Sequence, residues 1–323
     1  MRFLVAASVF SILSLIAGCG TPSFLITPVS NPSELDETVV KSGKGLFPDK
    51  IAIIEVEGML ANARGGLLAP GDNPLSLFTQ ELDKAADDSS VKAIVLRVNS
   101  PGGTVSASDA MYTILKQFKE KTHKPVVASA QELDCSGAYY VSCGADKIVA
   151  QPTSLVGSIG VIFDTYNFQG TLEKLGIVAG NFKSAAHKDI GSPFRPADPE
   201  EQKIMQGLVD EYYARFKGVV TTNRQIPEAS FKEVTDGRIF SGEQAKDLGL
   251  VDQVGLLSDA IDLAGKLAGA PDASVVAYKH PYGYGGSIYA LNSVPPAKSD
   301  VLQLQLPQAA SMLPSGFYYL WQP

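Results

Sequence analysis

Four short runs of β-branched and apolar residues constrain this fold more than anything else in the chain. They are Ile51-Ala-Ile-Ile-Glu-Val-Glu57, Val91-Lys-Ala-Ile-Val-Leu-Arg-Val98, Pro125-Val-Val-Ala-Ser-Ala130 and Lys147-Ile-Val-Ala150. Each has strand length, and each is too continuously apolar to keep one face in water. Helical patterns separate them. From Pro74 to about Ala86, the residues Leu75, Leu77, Phe78 and Leu82 suggest a helix. From Ser106 to Phe118, Met111, Ile114, Leu115 and Phe118 do the same, and Ser106 and Asp109 have capping-box spacing. Ser136 to Gly144 reads as a short helix of small residues. Alternating buried strands and helices imply an α/β fold with largely parallel strands and right-handed crossovers.

The second half continues less regularly. Residues 171–176 read as a short helix, and Gly176 to Phe182 as a return into a strand. Residues 198–220 form the longest helix, with Ile204, Met205, Leu208, Val209, Tyr212 and Phe216 at 3.6-residue spacing. Ser241 and Gln244 make a second capping box, Gly249 to Asp252 an edge strand, and Leu256 to Leu267 a last helix.

The N-terminus carries an address. Met1 to Gly18 holds one basic residue, Arg2, then an apolar run ending Leu15-Ile16-Ala17-Gly18-Cys19. That run is about half the roughly 20 residues a spanning helix needs. It has the shape of an export signal. Cysteine directly after Ile-Ala-Gly resembles a bacterial lipoprotein signal, which implies lipidation at Cys19 and a membrane anchor. Gly20 after Cys19 resembles an outer-membrane sorting signal in an enteric-type envelope, with the inner membrane as the other option. The expected organisation is a signal over 1–18, a Pro/Ser/Thr/Gly-rich tether over 19–48, one main domain over 49–268, and a Pro/Tyr/Gly-rich tail over 269–323.

Composition excludes several classes. At 45% apolar and 19% charged residues the chain buries a sizeable core rather than staying disordered. A net charge of -7 without a basic block argues against nucleic-acid binding. His123, His187 and His280 have no metal-ligand spacing, and no cofactor is expected. No G-x-G-x-x-G fingerprint and no G-x-S-x-G elbow occurs. Cys135 and Cys143 read as two buried thiols on one helix, about 12 Å apart along its axis and too far for a bridge.

Four motifs remain: Asn99-Ser-Pro-Gly-Gly103, Asp134-Cys-Ser-Gly-Ala-Tyr-Tyr140, Gly157-Ser-Ile-Gly160 and His187-Lys-Asp-Ile190. With them the chain resembles the S49 serine peptidases of the signal peptide peptidase A type, from about Ile51 to Leu267. The resemblance implies a crotonase/Clp-protease-like fold, with parallel sheets and βαβ crossovers, and a Ser/Lys dyad. It implies Ser136 as nucleophile, Lys188 as general base, Ser158 as the hydroxyl that orients the lysine, and Gly103 as oxyanion-hole backbone with Gly102 beside it. A lysine works as a base only when its pKa falls from about 10.4, which burial achieves. Lys183 is the competing base. His187 adjoins Lys188, and neighbours on an extended chain face opposite ways. Asp134 reads as a loop or cap residue, since a lysine base needs no aspartate to fix a tautomer.

The resemblance further implies extended apolar peptides as substrates, signal-peptide remnants among them, and a ring-shaped homo-oligomer of a short, single-unit form. The site is completed within or between identical subunits. The Tyr- and Pro-rich tail is a candidate to cover a neighbour or to enter a cleft as a self-peptide. Two other functions compete: a catalytically idle, peptide-binding envelope lipoprotein, and a crotonase-like acyl-CoA enzyme, which the export signal opposes.

Overall fold

The computed structural model describes residues 35–63, 73–279 and 316–321. The compact unit begins at Leu35. The signal, with Cys19, lies outside the described residues. No helix among the described residues is long and apolar enough to cross a membrane.

The elements follow in the order β1 (Asp36–Lys41), β2 (Lys50–Leu60), α1 (Pro74–Asp87), β3 (Val91–Thr104), α2 (Val105–Thr122), β4 (Val126–Cys135), α3 (Gly137–Ser142) and β5 (Lys147–Ala150). Then come β6 (Leu155–Gly157), α4 (Gln169–Lys174), α5 (Pro199–Asn223), α6 (Glu228–Val234), β7 (Ile239–Ser241), α7 (Gly242–Asp247), β8 (Gln253–Val254), α8 (Leu257–Leu267), β9 (Ser274–Lys279) and β10 (Tyr318–Leu320). The main sheet has the order β1-β9-β2-β3-β4-β5-β8. Every neighbour pair from β9 to β8 is parallel, as the apolar runs require, and β1 closes one edge antiparallel to β9. This is the Clp-protease-like α/β fold.

Side-chain alternation along the strands builds two cores. Ile51 and Ile53 of β2, Ala93 and Val95 of β3, Val127 and Val149 face α8, where Leu257, Ala260, Ile261 and Ala264 meet them. The intervening residues Ala52, Ile54, Ile94, Leu96, Val98 and Ala128 face the other way, onto the helices that carry Phe78, Leu82, Met111, Leu115, Tyr139, Tyr140 and Phe216. Burying both faces of these strands is why they read as continuous apolar runs.

Several local expectations change. The cap of α2 is Thr104, whose hydroxyl accepts from the Ala107 amide, so the helix starts one residue before Ser106. The Ser241/Gln244 box caps α7 as expected. Cys135 and Cys143 are free and buried, but Cys135 ends β4 and Cys143 caps the far end of α3. They do not share a helix, because a sharp turn at Ser136 intervenes. Gly176 to Phe182 forms no strand. The edge strand falls on Gln253–Val254, just beyond Gly249 to Asp252. β1 lies within the span read as tether and β9 within the span read as tail; they pair with each other, and β9 also joins β2.

Candidate active site

The site forms around the C-terminal ends of β3 and β4. The β3–β4 register shifts between Val98 and Ser100, and the β2–β3 register shifts between Glu57 and Met59, so the ladder is irregular around residues 99–101 before pairing resumes at Gly102 and Gly103. Ser100 pins this bend: its hydroxyl donates to the Gly58 carbonyl at 2.6 Å and accepts from the Gly102 amide at 3.0 Å. Gly102 has φ +102°. A methyl group there would overlap the Tyr319 carbonyl oxygen and stand 2.7 Å from the Gly137 nitrogen. Only glycine serves both demands.

β4 then turns sharply into α3 at Ser136. Its backbone, at φ 54° and ψ −117°, lies where non-glycine residues are rare. Such strain persists only where the surroundings over-determine it, and it clusters at functional sites. Here the Ser136 amide donates to the Gly157 carbonyl at 2.7 Å, and the Ser136 carbonyl accepts the Tyr140 amide at 2.9 Å. The Ser136 side chain makes no capping bond to α3. The hydroxyl is therefore not committed to the helix it precedes. Strand, tight turn, a buried serine in a strained backbone and a helix reproduce the logic of a nucleophile elbow without its glycine signature.

Ser158 sits at the end of β6, also with positive φ (51°), and its amide donates to the Arg238 carbonyl at 2.8 Å. Because Ser136 is bonded to Gly157, the two serines come together. Both line a cavity of about 450 Å³ with Ile159, Gly160, Val209, Tyr213 and Leu320. Gly103 is beside them: a methyl on Gly137 would stand 3.1 Å from the Gly103 nitrogen. The structure thus brings together Ser136, Ser158 and Gly103.

It does not bring Lys188 to them within one chain. Lys188 is exposed, lies in a turn of residues 185–191, and does not line the cavity. A larger cavity of about 690 Å³ lies along Phe163, Ile190, Arg195 and the start of α5, and holds neither Ser136 nor Lys188. His187 and Lys188 lie in a turn rather than on an extended chain, so the expectation that they face opposite ways loses its basis. His187 turns to the start of α5, with Nδ1 3.4 Å from Glu201 and Nε2 3.9 Å from Glu200. Lys183 is committed elsewhere. It pairs with Asp189 at 2.8 Å and donates to the Ala186 carbonyl at 2.9 Å. Arg195 clamps the same Asp189 and also Glu201, tying the turn to α5. Those bonds from Arg195 first, then Lys183 and Asn181, hold the Asp189 carboxyl well below the usual carboxylate range.

The family model described as peptidase family S49 matches residues 118–270, and that described as Clp protease matches residues 73–152. A protein of Methanocaldococcus jannaschii named as a protease is 43% identical over 217 residues, 67% of this chain and 69% of its own. One of Enterococcus faecium named as a signal peptide peptidase SppA is 36% identical over 249 residues, 77% of this chain and 72% of its own. One of Synechocystis named as a protease is 40% identical over 221 residues, 68% of this chain and 75% of its own. The chain belongs to peptidase family S49.

As an S49 peptidase, the chain carries three features that the sequence left unassigned or read differently; among them, Asp134, expected in a loop or cap, lies within β4 because its backbone pairs with Ser100 and Val156. Gly137, the residue after Ser136, starts α3 with its nitrogen facing Gly102, and a helix's first amides favour developing negative charge. Asp134 is fully buried on β4, accepts from the Ser142 hydroxyl at 3.0 Å through Oδ1, and has no partner on Oδ2. Burial pushes its pKa up to about 7, against the opposing pull of Ser142 and Arg224. The third is β10, whose Leu320 lines the cavity with the two serines. Its signal in the sequence was only a run of aromatics in a Pro-rich tail.

Proposed function

We propose that this S49 peptidase is a serine endopeptidase with a Ser136/Lys188 dyad. The observation that carries it is the strained turn at Ser136, which presents an uncapped hydroxyl beside Gly102, Gly103 and Ser158. Ser136 attacks the peptide carbonyl and Lys188 takes its proton. The Gly103 amide, with that of Gly137, stabilises the oxyanion, and Ser158 orients the lysine. Lys188 returns the proton to the leaving amine, and water releases the acyl group. Lys183 is a poor base in this scheme, since Asp189 and the Ala186 carbonyl hold its ammonium.

Lys188 reaches Ser136 from a second copy of the chain. A lysine base needs desolvation, and an exposed side chain obtains it only when another surface covers it. The segment that carries Lys188 has the surface for this: Leu175, Val178, Phe182 and Phe194 are all exposed, Phe182 fully. Apolar side chains so concentrated fit an interface between subunits, consistent with a homo-oligomeric ring. The substrates are extended apolar peptides, signal-peptide remnants among them, met in the cell envelope where a lipid on Cys19 holds the enzyme.

The test is cleavage of a fluorogenic apolar peptide by the protein from about residue 25, as wild type, Ser136→Ala and Lys188→Ala. Activity in the wild type and none in either variant is expected. Equal turnover in all three would remove the dyad, and no turnover in any would favour the idle scaffold.

A further inference from the structure

A second cavity adjoins the one that holds Ser136. Gln206 and Val209 of α5 line both the cavity of about 450 Å³ with the two serines and the larger one of about 690 Å³. Tyr213 belongs to the first alone, and Gln202 and Met205 to the second alone. Gln202, Met205, Gln206, Val209 and Tyr213 recur at helical spacing, so a single face of α5 walls both spaces. From Gln202 to Tyr213 that face runs about 16 Å along the helix axis.

The rest of the larger cavity comes from Phe163 and the segment that follows Lys188. These two stretches hold each other. Gly191 has φ +75°, and a methyl there would stand 3.9 Å from the Phe163 ring. The Phe168 amide donates to the Pro193 carbonyl at 2.7 Å, and the Asn167 side-chain amide to the Arg195 carbonyl at 2.8 Å. Among the charged lining residues, Arg195 is spent on Asp189 and Glu201, and the Asp198 carboxylate accepts from the first amides of α5. Lys203 is exposed. What the cavity offers a ligand is chiefly apolar: Phe163, Ile190, Met205 and Val209 all line it, and each is only half-buried. A space of this size with apolar walls suits a large side chain of a ligand, not a water or an ion.

We propose that this cavity is a remote subsite, taking a large apolar side chain about five residues from the scissile bond of an extended peptide. The spacing follows from the length of the α5 face, about 16 Å, at roughly 3.3 Å per extended residue. The inference rests on the peptidase reading of Ser136 and deepens it. It defines the substrates as peptides with two apolar anchors, one at the bond cut and one in the space beyond Val209. Binding energy from a remote side chain helps to hold the reacting bond in place, so a peptide too short to reach loses turnover efficiency.

A positional scan on the protein from about residue 25 tests this. Peptides share one apolar cleavage site, extended on either side by glycine and serine, with a single leucine moved along the extension. On one side, kcat/KM should peak with leucine about five residues from the bond, on the order of tenfold above the peptide without it. Met205→Glu sets a carboxylate in the cavity and should bring that ratio close to one, while Met205→Leu keeps it. Should Met205→Glu fail to fold or to turn over, the wild-type scan decides alone. A flat scan in an enzyme whose turnover depends on Ser136 makes the inference wrong and leaves the dyad standing. A leucine preference that survives Met205→Glu overturns it as well. A flat scan together with a smaller oligomer in Met205→Glu, by light scattering, would instead assign the cavity to a subunit contact. If the wild type cleaves no peptide at all, the peptidase reading fails and takes this inference with it.

Discussion

Asp134→Asn is expected to reverse the sign of its effect on stability between acid and alkaline pH. Asp134 is wholly buried, with one oxygen bonded to Ser142 and the other unpartnered. Burial raises its pKa from 3.8 to about 7 in the folded protein. The folded state therefore holds a proton between these values that the unfolded state has lost. Stability from this group is fully present below pH ~4, falls as pH rises, and levels off above pH ~7. At about 1.4 kcal/mol per pH unit, the loss between pH 5 and pH 8.5 comes to about 3 kcal/mol. Asparagine does not titrate. Its amide carries a donor into the unpartnered position, at a cost of about 1–2 kcal/mol at all pH values. The variant should thus be level with or less stable than Asp134 at pH 5, and more stable by about 2 kcal/mol at pH 8.5. Urea unfolding followed by circular dichroism, in the Ser136→Ala background to prevent proteolysis, measures both. A difference between the two proteins that is the same at pH 5 and pH 8.5 would refute the reasoning.

Three other outcomes follow from the geometry. Gly102→Ala places a methyl against Tyr319 and Gly137 in a backbone at φ +102°, so turnover of a fluorogenic peptide should fall by about 10²–10³ with the fold retained by circular dichroism. Lys183→Ala breaks an ion pair with Asp189 that Arg195 also holds; activity should stay within about threefold, while a collapse would move the base from Lys188 to Lys183. Ser241→Ala removes the capping box of α7 and should cost about 1 kcal/mol in urea unfolding at unchanged m-value.

The strands that cross the molecule were legible because both of their faces are buried, which removes polar residues and leaves Ile51–Ile54, Val91–Val98 and Val126–Ala130 unmistakable. β1 was not, since Asp36-Glu-Thr-Val-Val-Lys41 is an edge strand facing water and its pairing with β9 is a contact across the whole chain. β10 is only Tyr318–Leu320 and owes its conformation to β3 and Ile162 rather than to its own pattern. The site was legible in its parts and not in its assembly. Ser136, Ser158 and Gly103 stood out through resemblance, but the strain at Ser136 has no sequence mark beyond Cys-Ser-Gly. The exposure of Lys188 was invisible, because adjacency in a turn obeys different geometry from adjacency in a strand. Tyr140 of α3 and Phe216 of α5 meet edge to face, a contact that neither the motif containing Tyr140 nor the helical spacing of Phe216 announces.

The central claim is that Ser136 acts with a Lys188 from another copy, and mixing two inactive variants tests it most directly. Ser136→Ala retains the lysine and Lys188→Ala retains the serine. Unfolded together in equal amounts and refolded, they should recover about a quarter of wild-type peptidase activity, the share of subunit contacts that pair an intact serine with an intact lysine. Each variant refolded alone should stay inactive. No recovery from a mixture shown to contain mixed oligomers would contradict the account and return both residues to one chain.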